Sequence, residues 1–206
     1  MKPRLKIFNG RIITPQRVIA NGTVIIEGEI ISVVEEGNVQ VDGAQEIDAQ
    51  NNYISPGFID IHVHGGGGHD FMDGDAAAFI KIAETHARHG TTAMLPTTLS
   101  CEKQDLVNTL EAYKEAHKNN LSGASFLGMH IEGPYFAINQ RGAQDPRYIR
   151  EPDPQEYTEI IDRYDFIKRW SAAPELKGAI EFAHYLTSKN ILPALGHTDA
   201  TYEEAL

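Results

Sequence analysis

The sequence reads Pro56-Gly57-Phe58-Ile59-Asp60-Ile61-His62-Val63-His64 over residues 56–64, an apolar strand-like run that ends in two histidines. Residues two apart on a strand share one face, so both imidazoles project in the same direction and can share one metal ion. An isolated pair of this kind fits a metal site and a hydrogen-bonded polar strand end about equally well. The four glycines at 65–68 favour the metal site, because bare backbone beside bulky ligands leaves room for a substrate.

Beyond this run, strand-like segments alternate with amphipathic helix-like segments. Five such βα units predict a parallel sheet, either a closed eight-stranded barrel or an open doubly wound sheet. Candidate metal ligands at the carboxyl ends of strands one, three and five favour the barrel. The glycine run does not have the spacing of a phosphate loop and does not lead directly into a helix. The predicted strands are 53–64, 92–96, 125–132, 170–173 and 191–197, and the helices are 76–88, 104–117, 154–168, 177–189 and one beginning near residue 201.

Residues 1–52 have a different pattern, in which short β-branched runs alternate with turn residues such as Asn9-Gly10 and Asn21-Gly22. This pattern predicts a small antiparallel β domain resembling a β-sandwich. Residues 53–206 are then expected to form the first part of a (β/α)8 barrel of the TIM type. Five units cannot close an eight-stranded barrel, and the sequence stops inside a predicted helix at Leu206, so we expect the chain to be truncated.

Composition limits the classes of function. A hydrophobic share of 41% in 206 residues predicts a folded chain, and a formal charge of −11 argues against nucleic acid or an anionic membrane as the partner. The basic start is followed by an interrupted segment, Leu5 to Ala20, which does not have the apolar core of a signal peptide, and no stretch approaches a membrane span. Cys101 is the only cysteine, which suits a reducing cytoplasm.

The third predicted strand delivers a carboxylate to its end in the run Gly128-Met129-His130-Ile131-Glu132-Gly133-Pro134. His130 and Glu132 share one face, so the carboxylate can bind or bridge metals while the histidine supports it from behind. Taken alone, Glu132 fits a solvated strand end or the partner of an arginine better than a metal ligand, and His130 fits a structural role.

The fifth predicted strand also ends in a histidine, His197, followed by a Thr-Asp pair that can cap the next helix. His197 alone fits a buried structural histidine, but four nitrogen and oxygen ligands at parallel strand ends favour a divalent first-row metal. His69 is left undecided. Four other histidines fall within or at the ends of predicted helices and are expected to have surface or packing roles, namely His86, His89, His117 and His184.

Together these motifs resemble the amidohydrolase superfamily and, within it, the deacetylases of phosphorylated amino sugars. The resemblance covers essentially the whole chain. His62-Val63-His64 alone indicates only the superfamily, whereas Glu132-Gly133-Pro134 and the loop Gly142-Ala143-Gln144-Asp145-Pro146 are more specific to the deacetylases. Further matching motifs are Ser55–Asp60, the glycine run with its continuation to residue 73, Gly90-Thr91-Thr92 with Pro96-Thr97, Ala173-Pro174-Glu175 and Gly196–Ala200.

The resemblance implies metal-dependent hydrolysis of the N-acetyl group of N-acetylglucosamine 6-phosphate, which gives glucosamine 6-phosphate and acetate. It implies that Glu132 and His197 hold the principal metal, together with a further histidine beyond Leu206. His62 and His64 would complete a second site that Glu132 bridges. One or two divalent ions are therefore expected, with zinc or iron best suited to these ligands.

For the substrate, the resemblance implies binding by Ala143 and Gln144. The family often has a histidine in place of Gln144, but a glutamine can also donate a hydrogen bond to a sugar hydroxyl. The resemblance further implies a homodimer and, beyond Leu206, both a general acid/base aspartate and phosphate-binding residues, including an arginine from the second subunit. We therefore expect these 206 residues alone not to be a competent enzyme.

Two alternatives remain. The first is another amidohydrolase that acts on a cyclic amide, but many of these use a modified lysine at the end of strand four, where this chain has Ser171-Ala172-Ala173-Pro174-Glu175. The second is a catalytically inactive barrel fragment, which would be expected to lose several ligand positions. Every ligand position expected in this part of the chain is filled.

Overall fold

The computed structural model describes residues 3–206. These residues form two compact units, the first ending at Pro56 and the second running from Gly57 to Leu206. Within the described range, no helix combines the length and apolarity needed to cross a lipid bilayer.

The first unit contains a five-stranded sheet. Its strands are β1 (Arg4–Ile13), β2 (Val18–Glu27), β3 (Ile30–Glu36), β4 (Gln45–Asp48) and β5 (Tyr53–Ile54). β2 pairs antiparallel with β1 and β3, whereas β4 and β5 both pair parallel with β1. The prediction of an antiparallel β domain is therefore wrong for β4, and β5, which was predicted as part of the first barrel strand, joins this sheet instead. After β3 the chain crosses to the far edge of β1, and such a crossover allows parallel pairing, unlike a tight hairpin.

In the second unit, the main strands pair in parallel and alternate with helices. The strands are β6 (Phe58–Val63), β7 (Gly65–Gly66), β8 (His69–Asp70), β9 (Thr91–Pro96), β10 (Ser125–Phe126), β11 (Met129–Glu132), β12 (Ile167–Ala172) and β13 (Leu192–Leu195). β9 pairs with β6 and β10, and β12 pairs with β11 and β13. A parallel bridge between Thr97 and His130 links the two sets, while β7 and β8 form a short hairpin. The carboxyl ends of β6, β9 and β11 therefore lie close together.

The helices of this unit are α1 (Ala76–Ala87), α2 (Lys103–Asn119), α3 (Pro154–Arg163), α4 (Ala179–Ser188) and α5 (Tyr202–Ala205). Asp75 and Asp153 accept hydrogen bonds from backbone N–H groups in the first turns of α1 and α3, as N-caps do. Short 3₁₀ helices lie at Phe71–Asp73 and Ile138–Gln140.

Several predicted boundaries were wrong. The predicted strand 125–132 is divided into β10 and β11 at Gly128, which has φ of 131°. The fourth predicted strand begins at Ile167 rather than residue 170, and the fifth ends at Leu195 rather than residue 197.

The predicted strand 53–64 is divided, because β5 belongs to the sheet of the first unit and β6 begins only after Pro56, which has no N–H to donate. The third helix ends at Arg163 rather than residue 168, because the buried Ile167 already pairs with β11 at the start of β12. The fourth helix begins at Ala179 rather than residue 177, because Gly178 has a left-handed backbone conformation.

The core of the second unit supports the strand ends. All four residues of β11 are buried, and Trp170 on β12 packs against Tyr135 and Phe182. The indole N–H of Trp170 donates to the carbonyl oxygen of Gly133 at 2.9 Å. The segment immediately after Glu132 is therefore fixed by a buried aromatic side chain.

Candidate functional site

Glu132 occupies the end of β11, where its carboxylate lies inside the unit with only 5% of the residue exposed. Its backbone N–H donates to Thr98 Oγ1 at 3.2 Å. Gly133 follows with φ of 81°, and a Cβ at that position would collide with the Ser100 side chain. The chain therefore turns sharply at Gly133 and leaves the carboxylate at the strand end, as a glycine at positive φ permits.

Three imidazole nitrogens surround this carboxylate. The Nε2 atoms of His62 and His197 each lie 3.3 Å from Oε1 of Glu132, and Nε2 of His64 lies 3.1 Å from Oε2. The Nε2 atoms of His62 and His64 are 3.2 Å apart. Ligand atoms of His62, His64 and Glu132 all lie within 4.8 Å of one another. The structure therefore groups three of the predicted ligand candidates, His62, His64 and Glu132, and places the fourth, His197, in contact with the same carboxylate.

The local electrostatics favour an ionised carboxylate. Burial alone would raise the pKa of Glu132, but the hydrogen bond from His64 and the charges of His62, His64 and His197 outweigh it, and the pKa is lowered. The hydrogen bond to Glu132 raises the pKa of His64, whereas burial lowers that of His62. The site thus holds one buried negative charge faced by imidazoles.

The ring of His197 is oriented by a contact at Nδ1, the nitrogen that does not face Glu132. Its Nδ1 lies 2.8 Å from the backbone carbonyl oxygen of Gln140, which can only accept a hydrogen bond. In the neutral ring, Nδ1 therefore carries the hydrogen and Nε2 directs its lone pair at the carboxylate of Glu132. The φ of His197 is 51°, a left-handed value that residues other than glycine rarely adopt and that often marks functional positions.

The donor set fits a divalent first-row metal. Around a tetrahedral ion with bonds of ~2.1 Å, ligand atoms lie ~3.4 Å apart, close to the separations found here. When the His197 ring is neutral with its hydrogen on Nδ1, the lone pairs of His197 Nε2 and Glu132 Oε1 face each other at 3.3 Å, an arrangement that a cation stabilises. Imidazole nitrogen and carboxylate oxygen suit zinc, iron and neighbouring ions.

His130 lies behind these groups and is completely buried. Its Nε2 is 2.8 Å from Ser171 Oγ and its Nδ1 is 3.3 Å from Thr97 Oγ1, while its ring packs edge-on against His62 at 4.9 Å. Burial, reinforced by the charge of Arg169, lowers the pKa of His130 to about 3. His130 is therefore a neutral side chain that supports His62 through packing.

The loop between β11 and α3 contains Ala143 and Gln144. Ala143 is exposed, whereas only 4% of Gln144 is exposed. The Gln144 side chain donates from Nε2 to Oε2 of Glu132 at 3.0 Å and accepts the Ser100 backbone N–H at 2.8 Å. Gln144 thus lies against the carboxylate.

The remaining histidines lie outside this cluster. Nε2 of His86 contacts the carbonyl oxygen of Gly65 at 3.0 Å, so His86 braces the glycine run. His69 lies 3.6 Å from Asp73 at the surface, and Nδ1 of His89 contacts the carbonyl oxygen of Thr85. His117 stacks on Tyr113.

Sequence reasoning missed several supporting groups. Gln140 contacts His197 through its backbone carbonyl, and a backbone contact cannot be predicted from the type of side chain. Ser171 was detectable in principle, because it is a polar residue within the buried end of β12. Glu175 accepts hydrogen bonds from the Thr198 hydroxyl at 2.5 Å and the Asp199 N–H at 2.7 Å, which connects the segments after β12 and β13.

Residues 53–186 match the model of the amidohydrolase family. The chain is 34% identical over 203 residues to N-acetylglucosamine-6-phosphate deacetylase of Haemophilus influenzae, covering 97% of this chain and 52% of that protein. It is 32% identical over 195 residues to N-acetylgalactosamine-6-phosphate deacetylase of Escherichia coli O157:H7, covering 94% of this chain and 50% of that protein.

A solved structure has a similar fold. The crystal structure of N-acetylglucosamine-6-phosphate deacetylase from Pasteurella multocida superposes with a TM-score of 0.89 at 28% identity, over 98% of this chain and 53% of that one. The chain thus spans about half the length of the relatives that it matches.

Proposed function

The chain belongs to the amidohydrolase family, and we propose that it contributes the metal centre of an enzyme that removes the acetyl group of N-acetylglucosamine 6-phosphate. The products are glucosamine 6-phosphate and acetate. One observation carries the proposal, namely the buried Glu132 carboxylate faced by Nε2 atoms of His62, His64 and His197. The names of the matched relatives supply the substrate class.

In this proposal Glu132 and His197 would hold the principal ion, and His62 and His64 would complete a second position that shares Glu132. The ion is zinc or iron, in one or two copies per subunit. When bound, it supplies Lewis acidity that polarises the acetamide carbonyl and activates water at neutral pH.

The protein groups divide the remaining work. The Glu132 charge balances the cation, and the Gln140 carbonyl keeps Nε2 of His197 available as a ligand. His130 fixes the ring of His62 from behind. Ala143 and Gln144 lie in the loop that borders the substrate.

Further elements of the proposal concern the whole protein. β6, β9, β11, β12 and β13 are proposed as successive strands of a (β/α)8 barrel, with the site at their carboxyl ends. The matched relatives are about twice as long, and we place the general acid/base aspartate and the phosphate-binding residues in the region equivalent to their other half. We also propose that the full-length protein is a cytoplasmic homodimer.

An acetate-release assay on the full-length protein loaded with Zn²⁺ or Fe²⁺ tests this function. N-acetylglucosamine 6-phosphate, its galactosamine epimer, the unphosphorylated sugar and a cyclic amide are compared, with Glu132→Gln protein as the control for contaminating deacetylases. We expect kcat/KM for a phosphorylated sugar to exceed that for the unphosphorylated one by roughly 100-fold or more, because a site built to bind the phosphate is left unpaired without it. Preferred hydrolysis of the cyclic amide would support the other amidohydrolase reading.

A further inference from the structure

The Gln144 side chain has both of its polar atoms engaged by the protein. Nε2 donates to Oε2 of Glu132 at 3.0 Å, and Oε1 accepts the backbone N–H of Ser100 at 2.8 Å. This orientation of the amide is unambiguous, because a backbone N–H only donates and an ionised carboxylate only accepts. With 4% of the residue exposed, little of Gln144 remains for a ligand.

The backbone of Gln144 is also held in place. Its N–H donates to the carbonyl oxygen of Arg141 at 3.0 Å, and Nη1 of Arg141 donates to the carbonyl oxygen of Gln144 at 3.3 Å. The side chain reaches from this closed loop to Ser100, which follows β9, and to Glu132 at the end of β11. Gln144 therefore connects three segments around the carboxylate.

The orientation of the Glu132 carboxylate has to be fixed by contacts with neighbouring groups. The terminal torsion of a glutamate is broad and roughly two-fold, so the rotamer alone does not set the plane of the two oxygens. His64 and Gln144 both contact Oε2, at 3.1 and 3.0 Å, while His62 and His197 contact Oε1. Gln144 is a neutral donor that holds Oε2 on the His64 side and leaves Oε1 directed at His197.

We infer that Gln144 is a positioning residue that fixes the plane of the Glu132 carboxylate and thereby sets the metal affinity of the site. The inference rests on the proposed metal-dependent function and narrows it, because the side chain of Gln144 acts on Glu132 and not on the sugar. Residues that hold a metal ligand in place commonly change metal affinity by ~10- to 100-fold when they are replaced.

The test measures zinc affinity of the full-length, metal-free protein by competition with a chromophoric chelator. Gln144→Leu removes both hydrogen bonds, Gln144→Asn shortens the reach, and Gln144→His restores one donor and one acceptor. Gln155→Leu makes the same chemical change on the exposed first turn of α3 and is the matched control. We expect Kd for Zn²⁺ to rise ~10- to 100-fold in the Leu and Asn variants, to recover to within ~3-fold in the His variant and to stay unchanged in the control.

The outcomes separate the possible roles. A Kd for Zn²⁺ within ~2-fold of the unmodified protein in the Leu and Asn variants, with KM for N-acetylglucosamine 6-phosphate raised, would overturn the inference and make Gln144 a sugar contact. A lower free energy of unfolding of the metal-free variants, together with an unchanged Kd for Zn²⁺, would overturn the inference in favour of a purely structural role. If the Leu variant does not fold, the Asn and His variants decide the question. Absence of deacetylation by the zinc-loaded unmodified protein would remove the proposed function while the affinity result still stood.

Discussion

The carbonyl oxygen of Gln140 lies 2.8 Å from Nδ1 of His197, so the loop between β11 and α3 orients a ligand that comes from a different strand. Four residues further on, the same loop places the Gln144 amide on Glu132. The N–H of Ala137, just before Gln140, donates to the carbonyl oxygen of His197 at 2.9 Å. One loop therefore holds both principal ligand candidates, one through backbone atoms and the other through a side chain.

Replacing Glu132 tests the charge at the centre of the site. Glu132→Gln keeps the shape of the side chain but removes the negative charge that balances a cation, so we expect zinc affinity to fall by at least ~100-fold. Chelator competition and elemental analysis measure this change. Glu151→Gln makes the same substitution on an exposed side chain and is the control; equal zinc content in both variants would contradict the assignment.

Replacing His130 tests a buried polar contact. In His130→Leu, Ser171 Oγ loses its partner at 2.8 Å inside the core. A buried group left without a hydrogen bond costs ~1–3 kcal/mol, and we expect the free energy of unfolding of the metal-free protein in urea to fall by about that amount. Adding Ser171→Ala removes the unsatisfied hydroxyl and is expected to recover part of the loss. A double variant less stable than His130→Leu would refute this explanation.

A second prediction of stability concerns Arg150 and Glu156. The Arg150 guanidinium is a bidentate partner of the Glu156 carboxylate, which also accepts the hydroxyl of Tyr135 at 3.1 Å. Glu156 is 8% exposed, so Arg150→Met leaves a buried charge without its counter-ion. We expect a loss of roughly 2–4 kcal/mol in denaturant unfolding, reduced from the fully buried case because the arginine is partly exposed. Arg150→Met combined with Glu156→Leu is expected to unfold less readily than the single variant, and the opposite order would rule out the ion-pair account.

Cys101 gives a pH-dependent prediction. Burial, helped by the charge of Asp105, raises the pKa of its thiol from 9.0 to about 12. Because the folded state favours the thiol, this contribution to stability is present below the ordinary thiol pKa and is lost as the pH rises towards 12. At pH 8 we expect iodoacetamide to react with the native protein ~1,000-fold more slowly than with the urea-unfolded chain, since the thiolate is the nucleophile. Equal rates, followed by mass spectrometry, would show that the thiol is not shielded.

Much of the second unit was predictable from local pattern. The alternation of strands and helices and the strand-end positions of His62 and Glu132 follow from hydrophobic periodicity and side-chain parity, and the predicted resemblance to the amidohydrolases is confirmed. His197 was predicted at the end of the fifth strand, but β13 ends at Leu195 and His197 follows in a left-handed conformation. The mixed pairing in the first unit was not predictable, because local sequence does not determine which edge of β1 a later strand joins.

The parts of the site that could not be predicted depend on backbone contacts between residues far apart in sequence. The Ser100 N–H that fixes Gln144 lies 44 positions away in sequence, and the Gln140 carbonyl lies 57 positions from His197. Neither has a side-chain signature. Substrate binding by Gln144 stays a prediction. Its burial against Glu132 depends on the packed loop and could not be predicted from residue type.

The location of a bound metal tests the central claim most directly. Crystals of the full-length protein grown with Zn²⁺ would be measured on both sides of the zinc absorption edge. The account predicts an anomalous peak bonded to the Glu132 carboxylate and Nε2 of His197, and allows a second peak beside His62 and His64. Zinc-containing crystals with no anomalous peak at Glu132 would contradict it.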